Sequence, residues 1–229
     1  MSEPELWNVE LHSHTVWSKD CVVSFETVRR LCEARGIHRI AVTDHNTAEG
    51  ALQMHALAPD LVIVGEEIMT TKGELLGYFL QESIPAGLTP EETIRRLRDQ
   101  GAVISVSHPY DRLRKGAWEE ADLLSILDKV DAIESFNARC IYHEDNDKAQ
   151  ELAERCHLAV TVGSDAHSRT EYGRAMLQMR PFANADEFRQ ALQDAQPVVH
   201  YSPLRVHATS KTAKWSKKLH LRPRLWEGG

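Results

Sequence analysis

Two pairs of potential metal-binding side chains stand far apart in this chain of 229 residues: His12 and His14 in Glu10-Leu-His-Ser-His-Thr, and Asp165 and His167 in Gly163-Ser-Asp-Ala-His. Each pair abuts a short apolar run that reads as a strand. Residues at i and i+2 of a strand leave on the same face, so each pair offers two donors to one point. Further donors follow the same plan. Asp20 lies in the loop after the first run, and His45 ends Val42-Thr-Asp-His. Glu67 closes Val62-Ile-Val-Gly-Glu-Glu, where Gly65 permits close backbone approach. His108 ends Val103-Ile-Ser-Val-Ser-His, and Pro109 breaks the strand behind it. Mixed imidazole and carboxylate donors suit Zn, Mn or Fe better than Ca or a thiolate-loving metal. Eight or nine donors exceed what one ion uses, so two or three divalent ions are expected. Such ions lower the pKa of a bridging water, supply hydroxide near neutral pH and neutralise phosphoryl oxygens, with no Ser or Cys nucleophile.

The elements that must position these donors alternate. Strands are expected at Trp7–His12, Arg39–Thr43, Leu61–Glu66, Glu74–Leu80, Ala102–Ser107, Ala132–Ser135 and Leu158–Val162. Helices are expected at Phe25–Arg35, Ala48–Ala58, Pro90–Gln100, Leu123–Lys129, Asp145–Cys156 and Ala185–Ala195. Ser24 and Thr89 are suited to N-caps with acids in the first turn, and Gly36 and Gly101 stand where helices should stop. Strands separated by helices of 10–15 residues argue for βαβ units and a mostly parallel sheet. About seven of them suggest a closed or distorted (β/α) barrel. The candidate donors fall at strand C-termini, where parallel α/β folds place their sites. The pattern fades after Pro197, which divides the chain into a domain over 1–197 and a basic extension over 198–229.

Composition narrows the class. The chain is 42% hydrophobic and 27% charged. It has no apolar run of about 18 residues that could span a membrane. The N-terminus is acidic and lacks a secretory pattern, so a cytoplasmic protein is expected. Cys21, Cys32, Cys140 and Cys156 are scattered without a CxxC pair, which fits free thiols in a reducing compartment. From His200 onward, Arg205, Lys211, Lys214, Lys217, Lys218, Arg222 and Arg224 face a single acid, Glu227, within a chain of net charge −7. Such a tail, with Trp215 among its lysines, can steer anions or contact nucleic acid, or simply be a solvated strap on an acidic body.

The donor-bearing stretches together resemble the polymerase and histidinol phosphatase (PHP) superfamily of metal-dependent phosphoesterases. Its signatures stand here as Leu11-His-Ser-His-Thr, Ile40-Ala-Val-Thr-Asp-His-Asn, Ser107-His-Pro and Gly163-Ser-Asp-Ala-His. The small stand-alone members are the most similar, through Gly65-Glu-Glu, Gly73-Glu-Leu-Leu-Gly-Tyr-Phe-Leu and Ile133-Glu-Ser-Phe-Asn-Ala-Arg. The resemblance implies a distorted (β/α)7 barrel with a di- or trinuclear centre at the strand C-termini. It implies one metal held by His12, His14, Glu67 and Asp165, another by Asp20, His45 and His167, and a third bridged by Glu67 with His108. Relatives often have histidine where this chain has Glu74, so Glu74 becomes a carboxylate candidate for the third ion. They often begin the first motif with Asp, where this chain has Glu10. Because Glu10 alternates with His12 and His14, it is expected to point toward the site as a supporting acid.

Cations beyond the metals would orient a substrate. Arg112, Arg114 and Arg169 lie in loops after candidate strands, as do Asn137 and Arg139, and guanidinium forks match phosphate geometry. Arg139 is favoured because it sits in the matching Phe-Asn-Ala-Arg stretch. Asn137, Arg139 and Arg112 are the substrate-binding expectation, and His14, Glu67, Asp165 and Arg139 are expected to carry the reaction. The expected activity is metal-dependent hydrolysis of a phosphate ester: a nucleotide, an oligonucleotide end or a small phosphomonoester. Two alternatives stand beside it: an amidohydrolase-type C–N hydrolase, which also begins with H-x-H, and a non-catalytic metal-binding scaffold module.

Overall fold

The computed structural model describes residues 6–206. Seven strands appear where the apolar runs stand: β1 (Trp7–Ser13), β2 (Arg39–Val42), β3 (Val62–Met69), β4 (Glu74–Tyr78), β5 (Val103–Val106), β6 (Ala132–Asn137) and β7 (Ala159–Gly163). Two more, β8 (Ala175–Met179) and β9 (Gln196–Val199), extend the sheet to the order β7-β6-β5-β4-β3-β2-β1-β8-β9. The helices are α1 (Phe25–Arg35), α2 (Glu49–Leu57), α3 (Pro90–Asp99), α4 (Glu120–Leu124), α5 (His143–Cys156) and α6 (Ala185–Leu192).

Local chemistry fixes the helix ends. Ser24 accepts from Thr27 N and Thr89 from Glu92 N, with Pro90 in the first turn of α3. Gly36 ends α1 in the left-handed region at φ 62°, which costs a glycine little. The helix expected over Leu123–Lys129 is instead α4 and a separate 3₁₀ turn at Leu127–Lys129, so one amphipathic stretch is divided in two.

The strands β1–β2–β3 and β5–β6–β7 pair in parallel, whereas β4 is antiparallel to both β3 and β5. Only Thr70–Gly73 separate β3 from β4, far too short for a parallel crossover. This reversal has a functional consequence. The start of β4 lies at the same end of the barrel as the finish of its neighbours, and that end is where Glu74 sits.

The edge of β1 is shared. Its first residues, Trp7–Val9, pair antiparallel with β8. Its last residues turn to the segment after β7 through Asp165 N to His12 O at 2.8 Å and His14 N to Ala166 O at 3.0 Å. The ring therefore closes at the upper end and is opened by β8 at the lower, which is the distortion of the barrel. At the lower end α6 brings Phe188, Ala191 and Leu192 against Tyr78, Val103 and Phe182. A second apolar layer, including Val28, Ile40, Val64, Leu97, Ile104 and Leu152, packs the helices onto the outside of the strands. Each large side chain so buried contributes roughly 1.5–3 kcal/mol.

Beyond α6, β9 pairs with β8, Ser202 N donates to Ala138 O at 2.7 Å, and the Tyr201 ring stacks on His143. Of the basic residues expected to form a tail, Arg205 is described; Lys211, Lys214, Lys217, Lys218, Arg222 and Arg224, with Trp215, lie outside the described residues. No described helix is long and apolar enough to cross a membrane.

Candidate metal centre

The upper end of the barrel brings together side chains from six strand ends. β1 delivers His12 and His14, and its register against β2 shifts between Glu10 and Ser13. This bulge puts Leu11 and His12 in succession toward the barrel interior, since Leu11 packs with Ile63 and Leu76 while His12 meets Glu67. Glu10 is thereby left on the other side of the strand. Its carboxylate accepts from Ser164 N at 3.0 Å, from Ser164 Oγ and from Gly173 N at 2.8 Å. It tethers the segment that carries Asp165, which corrects the expectation that strand alternation would aim it at the site.

Asp20 is placed by Asp44, which is not among the donors. Asp44 accepts from Thr15 N at 2.7 Å, Thr15 Oγ1 at 2.6 Å, Ser18 N at 3.0 Å and Ser18 Oγ at 2.6 Å, fixing the loop that ends in Asp20. His45 then lies 3.5 Å from Asp20 Oδ1 and 2.8 Å from Glu67 Oε2. His108 Nε2 is 2.9 Å from Glu67 Oε1 and 3.6 Å from Glu74 Oε2. His167 Nε2 is 3.4 Å from Asp20 Oδ1. His108 at φ 22° and Asp165 at φ 50° hold backbone conformations that side-chain-bearing residues rarely adopt.

The hydrogen bonds around the rings decide which nitrogens are bare. Ser18 has one hydroxyl hydrogen, which goes to Asp44, so His14 Nδ1 must donate to Ser18 Oγ at 3.0 Å. His12 Nδ1 likewise donates to Glu134 Oε1 at 2.8 Å. His14 Nε2 then presents a lone pair toward His12 Nε2, 3.2 Å away. It faces carboxylate oxygens too: His14 Nε2 is 3.2 Å from Asp165 Oδ1 and 3.4 Å from Glu67 Oε2. These two oxygens are shut off from water, and His45 Nδ1 lies 2.8 Å from that of Glu67. Imidazole nitrogens and carboxylate oxygens crowded together and buried favour a positive charge among them, a proton or a metal ion.

The donor set therefore fits divalent ions. His12, His14 and Glu67 offer ligand atoms within 4.8 Å of one another, as do His14, His45 and His167, and again His45, Glu67 and Glu74. Charge within the cluster is distributed accordingly. Burial opposes ionisation of His12, but Glu134, Glu67 and Asp165 outweigh it and hold the ring well above its usual range. Burial likewise opposes charge on His45, yet Glu67 and Asp20 lift it to about 9. His14, buried and flanked by His167 and His45, is held well below the ordinary value.

Known proteins share this architecture. A PHP-associated family model matches residues 143–197. An uncharacterized protein of Methanocaldococcus jannaschii is 38% identical over 149 residues, covering 59% of this chain and 83% of that protein. A second from the same organism is 36% identical over 173 residues, covering 74% and 69%. In structure, a two-domain protein of Bacteroides vulgatus containing a predicted PHP-like metal-dependent phosphoesterase superposes with a TM-score of 0.67 at 19% identity. The match covers 86% of this chain and 66% of that one. The chain has the PHP fold, and its residues 143–197 match the PHP-associated family. The lesion-specific endonuclease PfuEndoQ of Pyrococcus furiosus also shares the fold, with a TM-score of 0.59 at 15% identity, covering 88% of this chain and 60% of that one.

Within this PHP barrel, the side chains of His12, His14, Asp20, His45, Glu67, Glu74, His108, Asp165 and His167 all lie in one connected cluster. Asn137 adjoins it, with Nδ2 3.3 Å from Asp165 Oδ2. Arg139 is buried, with Nη1 2.5 Å from His167 Nδ1 and Nε 3.3 Å from Glu171. Arg112 stands elsewhere: its side chain is 47% exposed, paired with Asp145 and laid over the Tyr142 ring. Its neighbour Arg114 reaches the cluster instead, pairing with Asp165 and with Asp111 at 3.2 Å.

Sequence reasoning missed Glu134. It is buried, accepts from His12 on one oxygen, and accepts from His108 N at 2.8 Å and Asn137 Nδ2 at 3.2 Å on the other. An acid inside the apolar run Ala132-Ile-Glu was the available signal.

Proposed function

We propose that this PHP-fold protein hydrolyses a phosphate ester at a centre of two or three divalent ions. The observation that supports this reading is the convergence of buried ligand atoms of His12, His14, Glu67 and Asp165 on one point, an arrangement suited to holding a cation. His12, His14, Glu67 and Asp165 would hold one ion, Asp20, His45 and His167 a second, and Glu67, Glu74 and His108 a third. Nitrogen and oxygen donors of this kind suit Zn, Mn or Fe. Bound there, such ions supply Lewis-acid neutralisation of phosphoryl oxygens and acidify water near neutral pH.

The chain's own residues do the rest. Arg114 and Arg139 present guanidinium forks on two sides of Asp165 and His167, where they bind and orient a phosphoryl group. Asn137, itself fixed by Asn146, adds an amide donor to the same wall. Glu134 holds the His12 proton on Nδ1, keeping Nε2 toward the centre. His14, Glu67, Asp165 and Arg139 carry the reaction in this reading. Residues 1–197 form the catalytic unit, the extension beyond them steers anionic substrates, and four free cysteines fit a cytoplasmic setting.

The test pairs metal analysis with turnover. Protein purified without added metal should hold two or three transition-metal ions per chain and release phosphate from nucleotides or oligonucleotide ends. Chelation should abolish release, metal should restore it, and His14→Ala should lose both metal and activity. A protein that binds no metal would sink the reading.

A further inference from the structure

The lower end of the barrel, opposite the metal cluster, holds a cleft of its own. The starts of β1 and β2 bring Trp7 and Arg39 together there, and Asp60, Phe79, Phe182 and Asn184 complete the wall. Its volume is about 650 Å³, within the range of about 300–1,000 Å³ typical of small-molecule sites.

Arg39 is what packing alone does not explain. It is the first residue of β2 and 8% exposed, and its Nε has no hydrogen-bond partner. No acid among the described residues lies within ion-pair distance of it; Asp60, across the cleft, acts on its charge only through the field. The guanidinium carbon lies 5.9 Å from the Trp7 ring centroid and 5.3 Å from that of Phe182. Two aromatic faces attract a cation, but they do not replace the hydration it has lost. A buried cation of this kind is completed by an anion. The rings around it, with Phe182 meeting Trp7 edge-on at 5.7 Å and Phe79 at 6.3 Å, form an apolar wall suited to a flat group.

We propose that this cleft binds a small anionic molecule with a flat ring, its acid group on Arg39 and its ring against Trp7, Phe79 and Phe182. The site is separate from the metal centre and does not depend on the reaction assigned there.

The probe is anilinonaphthalene sulfonate, an aryl anion that fluoresces when its ring is shielded, titrated onto the full chain. One equivalent should bind. Arg39→Gln should weaken binding about ten-fold or more, while Asp60→Asn, by removing the opposing carboxylate, should tighten it. Metal content and phosphate release should stay at the wild-type level in both variants. Dye affinity unchanged in both variants would overturn the proposal. So would binding that appears only after residues 1–5, with Glu3 and Glu5, are removed, because the chain itself would then be the occupant. Should Arg39→Gln fail to fold, Asp60→Asn decides alone: tighter binding supports the site and unchanged binding overturns it.

Discussion

His12 Nδ1 and Glu134 Oε1 stand 2.8 Å apart in the barrel interior, both fully shielded from solvent. Glu134 acts only as an acceptor there, taking His12 on one oxygen and His108 N with Asn137 Nδ2 on the other. Glutamine cannot do this, since its NH₂ would have to face a donor. Glu134→Gln should therefore weaken metal binding about 10- to 100-fold, the range for residues that orient metal-binding histidines. Competition against a chromophoric chelator measures it, and wild-type affinity in the variant would remove Glu134 from this role.

Gly163 ends β7 against the same pair. A Cβ on it would overlap Glu134 Oε1 and the His12 Cβ. The carboxylate has three donors to keep and cannot move aside freely. Gly163→Ala should cost about 1–3 kcal/mol, as overpacking does, and lower metal content with it. Urea unfolding gives the first quantity and elemental analysis the second; a variant with the midpoint and metal content of the wild type would show that the wall yields.

Glu66 and Glu67 are neighbours with opposite fates. Glu67 faces the centre, whereas Glu66 is buried on the helix side, with Oε2 accepting from Ile84 N at 2.9 Å and Oε1 unpartnered. Burial pushes its carboxyl from 4.5 up to about 8. Between those values the folded chain keeps a proton that the unfolded chain has lost, so this group's contribution to stability falls as pH rises, by up to about 1.4 kcal/mol per unit. Glu66→Gln keeps an acceptor for Ile84 and removes the titration. Relative to wild type it should gain stability between pH 5 and pH 8; parallel urea stabilities across that range would contradict the assignment.

The cysteines should divide by reactivity. Burial pushes the thiols of Cys32 and Cys140 up to about 12, and Cys21 is fully buried, while Cys156 is partly exposed. Iodoacetamide at neutral pH should label Cys156 first and leave the other three until denaturant is added. Mass spectrometry of the digest reads the order, and early labelling of Cys140 would mean that the loop after β6 opens.

Much of this was legible in the residues because it is local. Caps at Ser24 and Thr89, apolar runs of strand length and donors at the run ends depend on neighbours in the chain. What escaped depends on partners far away. The reversal of β4 rests on a four-residue turn that an alternating strand–helix reading passes over. β8 has only the weak alternation of a strand with one covered face, Ala175-Met-Leu-Gln-Met. Arg112 and Arg114 look equivalent in sequence, yet Asp145 on α5 holds the first and Asp165 beyond β7 the second. Glu10 was misjudged because a bulge in β1 interrupts the alternation on which its orientation was inferred.

The shared edge of β1 makes the candidate metal centre a clasp. Its first and last donors come from strands whose residues Glu10 and Ser164 are 154 positions apart, yet backbone hydrogen bonds join those strands directly beneath the cluster. An ion gripped from both sides of that seam shortens the largest loop the chain has to close. Whatever stability an ion there would bring would accrue to the joining of the ring rather than to any one strand, coupling the loading of the centre to the finishing of the barrel.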